Sequence, residues 1–284
     1  MVPRDSIAEV GTPTVWILTD RRYLGQRMPA ALACALDGRR PIKLLIADET
    51  VNEVGSGLSA RPAPGDVVVA RTRDPFGLSI LCQAEMDGAD CLNSHTEVLA
   101  VKDKAHATMV LAERGIPTPR TFLTGDPRLL RDLPSTAWPM LLKPALGDNA
   151  QGIVRVDRPE ELSGIAWPTG SVTVAQQYVD VDGVDLKLYG AGDAVWAVRR
   201  RSPLARGADI PRPLPVGPEL RALAHACRDA FGLFLYGVDV LPSPEGPLVV
   251  DVNDFPNYTG VDEAPQTIAD LVVAAAAQVS SCHW

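Results

Sequence analysis

The 284-residue chain has only five cysteines, Cys34, Cys82, Cys91, Cys227 and Cys282, and no two form a C-x-x-C pair. That scatter argues against a zinc site or a disulfide scaffold and leaves free structural thiols. Histidine is as scarce: His95, His106, His225 and His283 fall in no recognisable dyad, and no G-x-S-x-G elbow occurs. A Ser or Cys hydrolase is therefore not indicated. Positive charge is also short, with 27 Lys and Arg against 35 Asp and Glu for a net charge of -8. A nucleic-acid partner normally needs a basic face to neutralise phosphates, so none is expected. No apolar run approaches the ~18 residues of a membrane span. The opening "MVPRDSIAEVGTPTVWILTD" lacks a basic start followed by a long apolar stretch. The expectation is a cytoplasmic protein with no membrane partner.

What the chain does have is the apolar content of an ordinary globular protein, 46% hydrophobic, enough for two or three small domains. "TVWILTD", "PIKLLIAD" and "DVVVARTRD" are short apolar runs ending in charge, with a helix, "MPAALACALDG", between the first two. This is an α/β opening with a parallel sheet, assigned to residues 1–93. Such sheets bind ligands at the carboxyl ends of their strands, where Asp20, Arg21, Arg22, Arg71, Arg73 and Asp74 stand.

From 94 the pattern changes. Ser94 with Glu97 makes a capping box for one long helix that Gly115 and Pro117 stop. A strand "WPMLLKP", a Gly-containing loop "ALGDNAQGI" and a strand "SVTVAQQYV" follow, then two strands turning at Gly192-Asp193. The segments 94–172 and 173–284 read as two further subdomains. The Pro-rich stretch 202–218 reads as a loop, "PELRALAHACRDAFG" as a helix, and "IADLVVAAAAQV" as a closing helix.

One segment poses a chemical question: "VVDVNDFPNYTG" leads an apolar strand into carboxylate and amide oxygens. If the hairpin "FLYGVDVLPSPEGPLVVDVN" turns near Glu245, Asp239 lies opposite Asp251, and Asn253 shares the face of Asp251. Opposed carboxylates repel unless a cation lies between them, and hard oxygen ligands suit Mg²⁺ completed by phosphates. The same spacing also fits a solvent-facing Asp239 and an Asp251 that merely ends the strand. Lys143 closes "PMLLKP", and Gly147 and Gly152 allow backbone N–H groups to approach phosphate. The loop lacks the G-K-[ST] ending of a P-loop.

Taken in order, Lys104, Lys143 with its Gly loop, "AQQYV", "DLKLY", the Arg run and the "GVDV…VVDVN" hairpin resemble the ATP-grasp superfamily from about Asn93 onward. The run "RTRDPFGLSILCQAEMDGADCLNS…VKDKAHATMVLAERGIPTP" is similar to the RimK-type glutamate ligases. This resemblance implies an α/β (α+β) ATP-grasp fold behind a Rossmann-like N-terminal domain. It implies ATP held by Lys104, Lys143, Gly147, Gly152, Gln177, Tyr178, Val179, Asp185 and Lys187. One or two Mg²⁺, with Mn²⁺ as an alternative, would sit on Asp239, Asp251 and Asn253. Arg199 and Arg201, which share a strand face, would steady the transferring phosphate, and Arg22, Arg71 and Arg73 would meet substrate. The implied reaction joins a small-molecule carboxylate to an amine through an acylphosphate.

Three departures keep other readings open. Gln176-Gln177 replaces the family's Gln-Glu, Asp251 replaces its Glu, and "SPLARGADIPRP" replaces its "R-S-N", leaving Arg206 and Arg212 as substitutes. "DVNDFPNYTGV" also resembles the inositol polyphosphate kinases, so a kinase acting on a phosphorylated polyol is an alternative. A nucleotide-binding protein without catalysis is another. Monomer and homodimer are both left open.

Overall fold

The computed structural model describes residues 12–54, 61–147, 152–167, 170–202 and 210–281. Contacts divide the chain into two compact units, one of residues up to Leu92 together with those from Pro265 on, the other Asn93–Ala264.

In the first unit, β1 (Val15–Thr19), α1 (Arg27–Leu36), β2 (Ile42–Ile46), β3 (Val67–Arg71), α2 (Pro75–Met86) and β4 (Asp90–Leu92) follow in turn. The four strands form a parallel sheet in the order β2-β1-β3-β4. Every residue of β1 and β3 is buried, which is why both read as unbroken apolar runs rather than alternating ones. Trp16 adds a polar tie, its Nε1–H donating to Asp66 at 2.8 Å.

The second unit opens with α3 (His95–Lys102) and α4 (Lys104–Glu113), then β5 (Thr121–Thr124), β6 (Met140–Pro144), β7 (Val154–Val156) and β8 (Thr173–Gln177). It continues with β9 (Val184–Ala191), β10 (Ala194–Arg201), β11 (Arg212–Leu214), α5 (Pro218–Phe231), β12 (Leu235–Ser243) and β13 (Gly246–Asn253). A final helix, α6, spans Ala264–Ser281. Two sheets result, antiparallel throughout: β5-β8-β6-β7 and β11-β10-β9-β12-β13.

The five-stranded sheet sorts its residues by face. Leu188, Val195, Ala197, Val238, Val240 and Val252 join Leu111, Leu223, Ala224, Cys227 and Phe231 in one core, so α4 and α5 cover that face. Burial among them pushes the Cys227 thiol up to about 12, as expected of an inert core cysteine. Polar residues alternate onto the opposite face.

Several elements differ from the sequence reading. The capping box at Ser94 and Glu97 is present, but the long helix is two, broken at Asp103. Its backbone is extended there, and its carboxylate accepts from the N–H groups of Ala105 and His106. Asp103 also bridges to Leu146, and Lys104 N–H donates to Ala145 O at 2.9 Å, bonds a continuous helix could not make. The Pro-rich stretch contains an edge strand, β11, where Pro213 lies opposite Val198; an edge position spares proline the ladder bond it cannot make. Residues 203–209, Arg206 among them, lie outside the described residues. The closing helix clusters with the first unit from Pro265 on, and Arg39 of that unit pairs with Asp270 at 2.7 Å. The chain therefore returns to its first unit instead of ending within a 173–284 subdomain. No helix among the described residues is long and apolar enough to cross a membrane.

Gly190 shows how tightly the sheet is fitted. A Cβ there would overlap ring carbons of Tyr236, which is fully buried on the neighbouring strand at the paired position. Gly190→Ala is expected to destabilise the protein by about 1–3 kcal/mol through overpacking, read as a lower urea midpoint at unchanged m-value. An unchanged midpoint would mean that the ring moves aside freely.

Candidate active site

The polar face of the five-stranded sheet gathers the acids singled out in the sequence. Asp239 on β12 is in register with Asp251 on β13, and Gly237 with Asn253, so both acids and the amide share one face. This pairing arises from a bulge. The turn leaves Ser243 opposite Gly246, and the shift between Asp239 and Val240 adds one residue on β13, restoring the alignment that a tighter turn alone would have lost.

Cations from β9 and β10 meet these acids. Asp239 accepts from Lys187 Nζ and from Arg200 Nη2, each at 2.7 Å, and from Asn253 Nδ2 at 3.2 Å. Burial alone would push the Asp239 carboxyl up, but Lys187 and Arg200 outweigh it and hold the group below the usual carboxylate range. Asp185, opposite Arg200 across the β9–β10 ladder, is 6% exposed. Burial raises its pKa, partly offset by Arg200 and a bond from Ser202. Its Oδ1 is buried without a hydrogen-bond partner among the described residues. An orphaned buried carboxylate oxygen is costly and calls for a missing donor or cation.

The other sheet contributes a lysine. On β6, Met140 and Leu142 face a small core with Val156 and Ala175, so alternation sends Lys143 to the opposite side. It is 8% exposed and donates to Gln176 Oε1 at 2.7 Å. Burial draws its ammonium below the usual lysine range and Lys104 adds to this, while Asp251, Asp239 and Asp185 oppose it. Lys143 thus lies within electrostatic reach of Asp251, Lys104, Asp239 and Asp185. Lys104, first residue of α4, completes it, 3.7 Å from Asp251 and donating to Gly147 O at 3.0 Å.

Lys104, Lys143, Asp185, Lys187, Asp239, Asp251 and Asn253 are thus brought together. Gly152 adopts φ +73, the left-handed region that favours glycine; residues 148–151 of the Gly-containing loop lie outside the described residues. Gln177 ends β8, with Tyr178 and Val179 just beyond. The N–H groups of Gln177 and Tyr178 donate to Arg120 and Pro139 carbonyls, and the Tyr178 ring lies 4.1 Å under the Arg155 guanidinium.

The arginine assignment needs correcting. Arg199 and Arg201 are exposed, on the face away from the acids, and Arg200 is the member that reaches Asp239. Alternation required the run to divide, and the register fixes which way: Arg200 pairs with Asp185, which shares its face with Lys187 and Asp239. Arg200 and Arg155 were not singled out from the sequence, and Gln176 was noted only as part of the Gln176-Gln177 pair. Only Arg200 left a signal, through its place opposite Asp185. Lys187, read among the ATP contacts, is a buried partner of Asp239. Arg22, Arg71 and Arg73 belong to the first unit.

The donor set of two carboxylates and an amide suits a hard divalent cation such as Mg²⁺, with Asp185 Oδ1 a further unused oxygen on the same face. Four cations around it, Lys104, Lys143, Lys187 and Arg200, suit a polyanion such as a nucleotide triphosphate.

Comparison with known proteins places the chain in a family. Residues 101–276 match the RimK-like ATP-grasp domain family. A probable alpha-L-glutamate ligase of Shewanella loihica is 27% identical over 212 residues, covering 69% of this chain and 70% of that protein. One from Stutzerimonas stutzeri is 28% identical, covering 70% of each. Among solved structures, the ATP-grasp ligase PsnB with minimal precursor, Mg and ADP superposes with a TM-score of 0.70 at 16% identity, over 95% of this chain and 99% of that one. The D-alanine–D-alanine ligase of Bacillus anthracis with ATP gives 0.68 at 15% identity, over the same shares. The fold is that of the ATP-grasp enzymes, and the chain belongs to the RimK-like ATP-grasp family.

Proposed function

We propose that this protein is an ATP-dependent carboxylate–amine ligase that activates a carboxylate as an acylphosphate. The observation that carries this reading is the convergence of Asp239, Asp251 and Asn253 with Lys104, Lys143, Lys187 and Arg200 on one side of two sheets. The probable glutamate ligases among its relatives, and the ATP-grasp ligase PsnB with Mg and ADP and the D-alanine–D-alanine ligase with ATP among its structural neighbours, support it.

In this reading Lys104 and Lys143 hold the nucleotide phosphates, and anionic phosphate beside Lys143 restores the charge that burial disfavours. Arg200 and Lys187 lie where negative charge grows on the transferring phosphoryl group. Asp239, Asp251 and Asn253 hold Mg²⁺, which when bound neutralises phosphate charge. The segment Gln177 to Val179 meets the base and Asp185 the ribose side. Phosphoryl transfer asks chiefly for positioning and fixed positive charge, and this face supplies both. The carboxylate attacks the γ-phosphate with loss of ADP; the amine then attacks the acyl carbon, phosphate leaves, and an amide forms.

Hydroxylamine tests this step, because it intercepts an acylphosphate as a hydroxamate. Full-length protein with Mg-ATP and pooled amino acids should form hydroxamate in proportion to ADP. ADP release without hydroxamate would sink the acylphosphate route. The arginine geometry gives a second expectation: Arg200→Gln lowers turnover on the order of 10²–10³-fold, as for loss of one transition-state donor, whereas Arg199→Gln and Arg201→Gln stay close to the parent. Equal losses in all three would contradict the face assignment.

A further inference from the structure

The segment "DFPNYTG", which follows the acids of β13, takes no part in the reaction proposed above. It turns back across the sheet. The cross-strand pairs Trp196–Tyr189, Tyr189–Gly237 and Gly237–Asn253 make one row on the polar face, and Lys187, Asp239 and Asp251 make the next. Asp254 to Tyr258 run along the first row, beside the acids.

Two contacts fix that course. Pro256 lies over Gly237, where a Cβ would stand 3.2 Å from Pro256 Cγ and 3.2 Å from Lys187 Cε, closer than ordinary carbon contacts. A bare strand position is what admits the proline beside the lysine stem. Tyr258 then fixes the far end. It is fully buried, and its hydroxyl donates to Gly190 O at 2.7 Å. Its ring lies 5.2 Å from that of Tyr189 and edge-on to that of Trp196 at 6.0 Å. Gly190 is held in turn from the core face, where the Tyr236 ring fills the space a Cβ would need.

The backbone at this anchor is strained. Tyr258 has φ +49, in the left-handed region that a bulky residue adopts only where its surroundings over-determine it, and such outliers cluster at ligand sites. The segment borders the groups that Asp239 depends on. Asp239 Oδ2 accepts from both Lys187 Nζ and Asn253 Nδ2; Pro256 stands beside the stem of the first, and the second is the last residue before the segment begins.

We infer that Asp254 to Tyr258 form a strap that holds Lys187 and Asn253 in place around Asp239, with Tyr258 as its anchor and a positioning residue for the cation site. The assignment rests on the ligase reading above, which places Mg²⁺ on Asp239, Asp251 and Asn253.

Mn²⁺ binding to the full chain in the presence of ADP, followed by the EPR signal of free Mn²⁺, tests this without turnover. Tyr258→Phe keeps the ring and loses the bond to Gly190, and should weaken Mn²⁺ about 10-fold, as on loss of a group that orients a metal ligand. Gly237→Ala should act alike by forcing Pro256 and the Lys187 stem apart, and it keeps the test open should the tyrosine variant fold poorly. Tyr236→Phe, behind Gly190 on the core face, should leave Mn²⁺ affinity at the parent value. Unchanged affinity in a folded strap variant, even with a lower urea midpoint, would make the strap merely structural and overturn the assignment. An equal loss in Tyr236→Phe would do the same. Titration of a fluorescent ADP analogue without metal separates the two readings. A parent chain that binds ADP and Mn²⁺ no better than its strap variants defeats the strap alone, and a parent chain that binds neither defeats the ligase reading and the strap's role with it.

Discussion

Lys143→Met removes ATP turnover, by 10²–10³-fold or more, and leaves the protein folded. The loss follows from geometry: Lys143 is a buried cation within reach of Asp185, Asp239 and Asp251, and one preorganised donor to a charged transition state contributes about this factor. Stability moves the other way. Burial lowers the folded-state pKa of Lys143, so in the window between folded and unfolded pKa values the unfolded chain binds more protons and stability rises with pH. Below that window the penalty for a buried charge is present in full. Methionine has similar length and no charge, so the variant should be at least as stable at neutral pH, with Gln176 keeping its contact to Thr121 Oγ1 at 3.4 Å. Steady-state ADP release and a urea melt check both halves. Full turnover would end the phosphate role, and an unfolded variant would show that the lysine is structural.

The two acids opposed on β12 and β13 are expected to separate by stability and agree in activity. Asp251→Asn and Asp239→Asn should each lower turnover by at least 10²-fold, since each removes an anionic ligand from the proposed cation site. Among the described residues Asp251 has one long ionic contact, to Lys104 at 3.7 Å, and a side chain 25% exposed; its loss should change stability by less than about 1 kcal/mol. Asp239 is held by two cations at 2.7 Å with 13% of its side chain exposed. Removing it strands Lys187 and Arg200 and should cost about 3–5 kcal/mol. The pH dependence has a definite sign. Because the folded-state pKa of Asp239 lies below its model-compound value of 3.8, its contribution is present above that value and lost as pH falls through the lower, folded pKa. Asp239→Asn should lack this acid-side loss, as read from melting temperature between about pH 5 and 2. Equal stability of the two variants would contradict the ion-pair assignment.

Much of this was legible in the sequence because it depended on local signals. Ser94 and Glu97 announce a helix start wherever they occur, the runs of β1 and β3 announce buried parallel strands, and the pairing of Asp239 with Asp251 follows from counting along a hairpin. The count succeeded through compensation, since the turn is one residue tighter than supposed and the bulge restores the difference. What stayed hidden depended on partners far along the chain. β4, β5, β7 and β11 have three or four residues each, too few for a period, and exist because a neighbouring strand supplies their bonds. Asp103 breaks a helix that looks continuous because Ala145 and Leu146 bond there. Arg200, by contrast, could have been chosen over Arg199 and Arg201 by counting from the turn at Gly192-Asp193, which puts it opposite Asp185. The return of the closing helix to the first unit is a packing fact that its apolar sequence does not encode.

The measurement that bears most directly on the proposed reaction is ³¹P NMR of Mg-ATP turnover with amino acids ¹⁸O-labelled in their carboxyl groups. The expected result is ADP and inorganic phosphate, with one ¹⁸O carried from carboxylate to phosphate and seen as an isotope shift. A phosphate-ester resonance with no inorganic phosphate would make the protein a kinase, and unlabelled phosphate would make it a hydrolase of ATP; either would contradict a carboxylate–amine ligase.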